Sequence, residues 1–355
     1  MTAPLDGVHI VEFEGIGPGP LAGRMLLGMG AAVTLVARPQ SSPVTRQFSS
    51  GPPSEIERGK RRIVVDLKSD AGRTQAMELI AGSDALIDAM RPGVMERLGL
   101  GPADCSKRNP ALVYGRISGW GQSGPLARAA GHDLNYVALS GLLSLSARRG
   151  QLPIVPPTVV GDAAAALGLA FGIACALLQA RATGRGCVVD AGIVDIAAML
   201  GAIAHWARAS GRLDGSEPSP FHDSPFYDVY ECSDGSFITI GALEPTFYAL
   251  LLEKLGLTDV DPGAQYDTTR WPALKERFRS LFKRRTRDEW CALLEGTDAC
   301  FAPVLTVDEA ARHPHNQARG NFVERAGAVY GAVAPRLHPL DDDPGTSRDF
   351  TGADG

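Results

Sequence analysis

The sequence predicts an α/β protein: a doubly wound, mostly parallel sheet in a large domain, followed by a smaller α+β domain. Three observations carry this. Short β-branched runs alternate with helical stretches through the first 190 residues, the pattern of parallel strands joined by crossover helices. A stretch rich in Gly, Ser, Pro and Asp at 211–220 then reads as a linker. Beyond it, two strand-like runs meet at the turn Ser233-Asp234-Gly235, which is hairpin chemistry. The length of 355 residues suits two domains. The expected division is a large domain at 1–190, a linker helix and loop at 191–225, a small α+β domain at 226–305, and a return segment with a tail at 306–355.

The first β-α-β unit comprises a strand at 8–13, a helix at 20–29 and a strand at 32–37. Its loop, Gly15-Ile16-Gly17-Pro18-Gly19-Pro20, spaces the glycines as G-x-G-x-G, so it lacks the dinucleotide fingerprint. The second strand ends on Arg38, where a fold that binds NAD places an acid against the ribose. Arginine there suits a phosphate. The basic cluster Arg58-Gly59-Lys60-Arg61-Arg62 reads either as a solvated face or as a polyphosphate-facing rim. A strand at 63–67, a helix at 70–80 and a strand at 84–89 follow, and the turn Arg91-Pro92-Gly93-Val94 leads to a short helix ending at Leu98. The strand at 112–117 runs into the turn Ser118-Gly119-Trp120-Gly121, at a strand end of the kind where α/β sheets bind ligands.

Helices then dominate, at 134–145, 162–180 and 195–209, with a short strand at 187–190 between the last two. The small domain has strands at 227–232, 236–240 and 301–305, helices at 245–255, 271–282 and 287–294, and a short helix reaching Arg312. From Pro339 onward the chain has no helical or strand period and reads as extended or poorly ordered.

Composition excludes several classes of function. The net charge is −5 and no Lys/Arg run carries interleaved aromatics, which disfavours nucleic acid. The six cysteines contain no C-x-x-C pair, so neither a structural zinc nor a disulfide framework is expected, and a reducing cytoplasm fits. The first residues lack the pattern of a signal peptide, so no export is expected. The segment 163–180 carries no charge over 18 positions, the length of a membrane span. It is rich in Ala and Gly and opens on Asp162, so a buried core helix is the expectation, without membrane insertion.

The candidate site is the stretch Gly131-His132-Asp133-Leu134-Asn135-Tyr136, which sets an imidazole in a loop immediately before a helix. Its expected counterpart is Asp162, at the head of the long apolar helix, where a carboxylate can cap backbone N–H groups. A His and an Asp facing one carbon make a two-base site.

The motifs Val11-Glu12, Gly17-Pro18-Gly19-Pro20, Arg58-Gly59-Lys60-Arg61, Asp66-Leu67-Lys68, Arg91-Pro92-Gly93-Val94, Gly119-Trp120-Gly121-Gln122-Ser123-Gly124-Pro125, the His132 stretch and Gly241-Ala242-Leu243-Glu244-Pro245 together resemble the α-methylacyl-CoA racemase family of the class III CoA-transferase superfamily. The resemblance spans about residues 5 to 325. It implies a Rossmann-like large domain, a smaller domain, and two subunits interlocked as a homodimer. It implies that His132 and Asp162 are the catalytic pair and that Glu244 is an acid lying against the histidine. It further implies that CoA is held by Arg38, by Val65, Asp66, Leu67 and Lys68, by Arg91, and by Gly131, Asp133, Leu134, Asn135 and Tyr136. CoA is then part of the substrate, and neither a metal nor a separate cofactor is implied.

The chemistry follows from elementary acidity. A hydrogen α to a thioester carbonyl can be removed if the enolate oxygen is stabilised by hydrogen bonds in a water-poor site. Inversion needs a base on one face and an acid on the other, and an imidazole and a half-buried carboxyl can exchange those roles near neutral pH. Two alternatives stay open: a CoA-transferase in which Asp162 is the nucleophile, and an acyl-CoA-binding homologue without turnover. The sequence also departs from the racemase pattern. Ala163 to Ala166 follow Asp162 where racemases place glycines, His222-Asp223-Ser224-Pro225 replaces a Gly-Gly-Ala-Pro, and Met199 is the single methionine between Ile193 and Ser224.

Overall fold

The computed structural model describes residues 2–40, 54–148, 151–213 and 217–340. It divides into two compact units: one holds the chain through Ser144, Ile154–Leu200 and the chain from Arg319, and the other holds Leu145–Pro153 and Gly201–Ala318.

In the large unit the elements run β1 (His9–Phe13), α1 (Pro18–Gly28), β2 (Ala32–Ala37), β3 (Arg61–Val64), α2 (Asp70–Ala81), β4 (Ala85–Asp88), α3 (Val94–Arg97), α4 (Pro102–Arg108), β5 (Val113–Ser118), α5 (Asp133–Leu139), α6 (Leu142–Leu145), α7 (Ala164–Thr183), β6 (Val188–Gly192) and α8 (Ile193–Leu200). The strands form one sheet in the order β3-β2-β1-β4-β5-β6, and every neighbouring pair is parallel. The chain winds outward in both directions from β1 and β4, so their C-terminal ends flank the crevice where such sheets bind ligands.

Strand alternation divides the core between the two faces of the sheet. Ile10 joins Leu26, Ile117, Leu169 and Ile173 on one face, while its neighbour Val11 joins Ile80, Leu86, Met95 and Tyr114 on the other. The small residues of α7 let it press close to the sheet. A Cβ built on Gly172 would stand 2.7 Å from Val189 Cγ1, and one on Gly115 of β5 would stand 2.8 Å from Ile173 Cδ1. Burial nevertheless covers only one side of this helix, contrary to the expectation of a wholly buried core helix: Leu167, Phe171 and Leu178 are 54%, 70% and 70% exposed. The helix, counted from Val159 to Thr183, is long and apolar enough to cross a membrane by length and composition alone.

Two expected helices are each split in two. Gly141, with φ +88°, divides 134–145 into α5 and α6, because a left-handed residue cannot continue a helix. The stretch 195–209 is divided between α8 and α9 (Ala202–Ala209), which starts the small unit. The expected boundary at residue 190 falls inside β6.

Lys60 departs from both readings of the basic cluster. Its ammonium lies 2.8 and 2.7 Å from the two Glu12 carboxylate oxygens and 2.7 Å from the Pro20 carbonyl, and both charged side chains are fully buried. It ties β1 to the start of α1 from within.

In the small unit β7 (Tyr227–Glu231), β8 (Phe237–Gly241), α10 (Pro245–Lys254), α11 (Trp271–Phe282), α12 (Arg287–Leu294), β9 (Phe301–Pro303), α13 (Val307–Arg312) and α14 (Pro314–Ala318) follow, and β7-β8-β9 form an antiparallel sheet. Its core is aromatic: Phe226, Tyr230, Tyr248, Trp271, Phe278, Phe282 and Trp290 are buried together. The two indole N–H groups in it donate to the Gln265 and Phe282 carbonyls at 2.8 and 2.9 Å, which satisfies buried polar atoms that would otherwise be costly. Thr286 and Glu289 form a capping box at the start of α12. The chain then adds a hairpin, β10 (Phe322–Arg325) with β11 (Ala328–Gly331), where the sequence had suggested no strands. The segment expected to be extended from Pro339 lies largely outside the described residues.

Candidate active site

A parallel sheet sends all its strand ends the same way, so residues distant in sequence gather along one edge. Beyond β1 comes Gly17, beyond β2 Arg38, beyond β3 Val65 to Lys68, beyond β4 Arg91, and beyond β5 Trp120. Arg38 is exposed, and its backbone N–H donates to Glu14 Oε2 at 2.7 Å. Val65 is buried and continues the sheet through a 2.9 Å bond to the Ala37 carbonyl, while Asp66 and Lys68 are exposed and Leu67 is partly buried. Asp66 Oδ1 accepts the Lys68 N–H at 3.0 Å, which folds the turn that starts α2. Arg91 is exposed at the head of the turn before α3.

Asp88, buried at the end of β4, accepts the Met90 N–H at 2.8 Å and lies 3.4 Å from the Arg116 guanidinium. Burial pushes its carboxyl up to about 6. This group anchors the turn that presents Arg91.

His132 is exposed and stands just before α5, its backbone N–H donating to Asn135 Oδ1 at 3.0 Å. The loop leading to it is pinned by aromatic packing. Tyr136 is nearly buried, its ring meets Trp120 edge-on with centroids 4.7 Å apart, and its hydroxyl donates to the Gly131 carbonyl. Glycine is needed at 131, since a Cβ there would stand 2.8 Å from both the Trp120 and the Tyr136 rings. Leu134 and Asn135 are exposed beside His132.

Asp162 does not cap a helix, as the sequence had suggested. It lies within a π-helical turn, Val159–Ala163, that enters α7 after Thr158 in left-handed geometry at φ +62°. The capping is done by another residue. Asp133 accepts the Asp162 N–H on Oδ1 at 2.8 Å and the Thr158 N–H on Oδ2 at 3.0 Å. The Asp162 side chain is thereby left over for other uses. It is half-buried and faces Gly17, where a Cβ would stand 3.1 Å from Asp162 Oδ2.

Burial raises the Asp162 carboxyl to about 6; the Asp133 charge adds to the shift, and the His132 imidazole partly offsets it. Burial raises the Tyr136 phenol, and the Asp162 carboxylate adds to that shift. His132, Asp133, Tyr136 and Asp162 therefore form one electrostatic group. Glu244 belongs to the small unit, exposed at the N-cap of α10.

Sequence reasoning missed the side-chain duty of Asp133, the need for glycine at 17 and 161, and the packing of Trp120 on Tyr136. The adjacency His132-Asp133 and the pair Gly161-Asp162 were visible, but the bond linking them spans 29 residues and has no local signature.

The model of CoA-transferase family III matches residues 5–345. The chain is 40% identical to human (Homo sapiens) alpha-methylacyl-CoA racemase over 95% of its own length and 86% of that protein. It is 28% identical to the acetyl-CoA:oxalate CoA-transferase of Acetobacter aceti, covering 96% of this chain and 90% of that one. Among solved structures, a CaiB/BaiF family protein from Brucella suis superposes with a TM-score of 0.80 at 26% identity, covering 97% of this chain and 94% of that one. A six-stranded parallel sheet, a smaller antiparallel unit and a match over nearly all of its length make the chain a member of CoA-transferase family III.

Proposed function

We propose that the chain is a racemase that interconverts (2R)- and (2S)-2-methylacyl-CoA thioesters by removing and returning the α-proton through an enolate. His132 and Asp162 serve as the two acid/base groups. The observation that carries this reading is the condition of Asp162. Its backbone is held by Asp133 while its half-buried carboxyl, facing Gly17, is left unused by any cation among the described residues; raised by burial to about 6 and lying in the field of the His132 imidazole, it can hold or release a proton near neutral pH, as an exchange of roles with histidine requires. A nucleophilic aspartate has no need of a second base.

Arg38, Lys68 and Arg91, on turns along the same sheet edge, supply cations for the phosphates of CoA. α-Proton transfer from a thioester involves no change in oxidation state, so the reaction calls for no redox cofactor. The exposed apolar residues Leu167, Phe171 and Leu178 on α7 support a homodimer, since large exposed apolar surface is normally covered.

Incubating the enzyme with a 2-methylacyl-CoA in deuterated water tests the proposal. Deuterium should enter the α-position of both epimers. Complete retention of α-protium over many turnover times would rule the reading out.

The second reading is a CoA-transferase with Asp162 as nucleophile, favoured by the carboxylate's accessibility and by relatives named as CoA-transferases. Hydroxylamine trapping separates the two. An adduct at Asp162 formed from acyl-CoA supports the transferase, and an unchanged protein mass supports the racemase.

A further inference from the structure

We propose that Asp133 is a positioning residue whose carboxylate ties the turn carrying Asp162 to the loop carrying His132 and so sets the gap between the two groups. The inference rests on the proton-transfer reading above and deepens it.

Asp133 is the residue after His132, so anything that fixes Asp133 also fixes where the imidazole is launched. The residue is only 8% exposed, and each carboxylate oxygen receives a backbone N–H from the opposite segment: Asp162 on Oδ1 at 2.8 Å and Thr158 on Oδ2 at 3.0 Å. A helix entry has backbone N–H groups without intrahelical partners, and here a side chain 25 to 29 residues earlier supplies the acceptors. Each oxygen thus already accepts a backbone N–H, which favours a structural use of this carboxylate over a contact to CoA.

Gly161 makes the approach possible. A Cβ there would stand 2.4 Å from Asp133 Oδ1 and 3.0 Å from Val137 Cγ2. The residue before the candidate base is thus glycine because a carboxylate from another element occupies its side-chain space.

The tie has an electrostatic result. Holding one carboxylate against the backbone of another raises the second, and Asp133 is the second cause of the Asp162 shift, after burial. The remaining groups that act on Asp162 or share its field are His132, which partly offsets that shift, and Tyr136, whose phenol is itself subject to Arg91. One residue therefore sets the position of the base and adds to the proton affinity that burial gives it.

Asp133→Asn tests this, because the amide keeps one acceptor but turns an N–H donor toward the other backbone N–H. The rate of epimer interconversion should fall about a hundredfold, the scale of a misplacement near 1 Å, with KM for the thioester changed by less than about threefold. In NMR of carboxyl-labelled protein, the Asp162 titration should move down from about 6 toward the ordinary 3.8. Gly161→Ala breaks the same tie from the other side with the charge retained, so it should lower the rate as well. The double variant should be no slower than Asp133→Asn alone, since the two changes remove one contact.

A raised KM with an unchanged rate would make Asp133 a CoA contact and overturn the proposal. An unmoved Asp162 titration, or rate losses that multiply in the double variant, would also overturn it. If the unmodified enzyme itself exchanges no α-proton, the racemase reading fails, while the carboxyl titration still decides the role of Asp133.

Discussion

Two carboxylates in the large unit share a raised proton affinity and have opposite fates. Burial pushes Glu12 up to about 7 and Asp162 up to about 6. Glu12 is sealed: its oxygens meet the Lys60 ammonium at 2.8 and 2.7 Å, no part of either side chain reaches solvent, and a Cβ on Gly23 would stand 1.8 Å from Glu12 Oε2. Asp162 is open: its backbone is held by Asp133, while its carboxylate faces Gly17 and is shared with no bonded cation among the described residues. A perturbed carboxyl in an α/β edge is therefore insufficient evidence of a site. What separates the two is whether the protein has already used the charge.

If the Glu12–Lys60 pair is a sealed structural tie, Lys60→Met should cost about 3–5 kcal/mol of stability in denaturant unfolding at pH 8, because a buried charge loses its partner. The cost should shrink at pH 5. Removing the cation raises Glu12 further above its ordinary 4.5, and a group raised in the folded state gives stability present at low pH and lost as pH rises. A loss below 1 kcal/mol at both pH values would show that the pair is not structural.

An open charge should instead answer to ligand. Arg38→Ala should weaken CoA-ester binding by roughly 1.5–3 kcal/mol, the range for a hydrogen bond to a charged group, or about ten- to a hundredfold in Kd. Its unfolding stability should stay unchanged. The penalty should fall when the ester is built on dephospho-CoA, and equal penalties by calorimetry for the two ligands would remove Arg38 from the phosphate site.

The smallest effect sharpens the contrast at Asp162 itself. Its folded value is raised from 3.8 to about 6, so the wild-type protein loses stability as pH rises through that window. Asp162→Asn should melt about 1–3 °C higher than the wild type at pH 7.5 and level with it at pH 3.5. A lower melting temperature at pH 7.5 would mean that the carboxylate, like Glu12, is part of the scaffold.

Much of this was legible in the sequence, for a physical reason. Strand and crossover periodicity is local, so β1 through β6 and the helices α10 to α13 of the small unit could be read from apolar spacing and turn residues. The position of Asp162 near the imidazole followed from motif resemblance and not from spacing. What stayed hidden was long-range and polar: Lys60 looked like part of a solvated basic run until Glu12, 48 residues earlier, was seen to bury it. Asp162 looked like a helix cap until Asp133 was seen to hold that place. The open side of α7 was also illegible, because an apolar helix surface carries no sign of whether its cover lies in the same chain. The hairpin β10–β11 was missed because a pair of four-residue strands offers too little alternation to recognise.

In the proposed two-base reaction His132 and Asp162 address one carbon from opposite faces. Epimer-resolved deuterium exchange in His132→Ala tests it most directly. Interconversion of the 2-methylacyl-CoA epimers should disappear, and any remaining α-deuterium should enter a single epimer, the one whose hydrogen faces Asp162. Persistent interconversion, or equal residual exchange in both epimers, would contradict the two-base account.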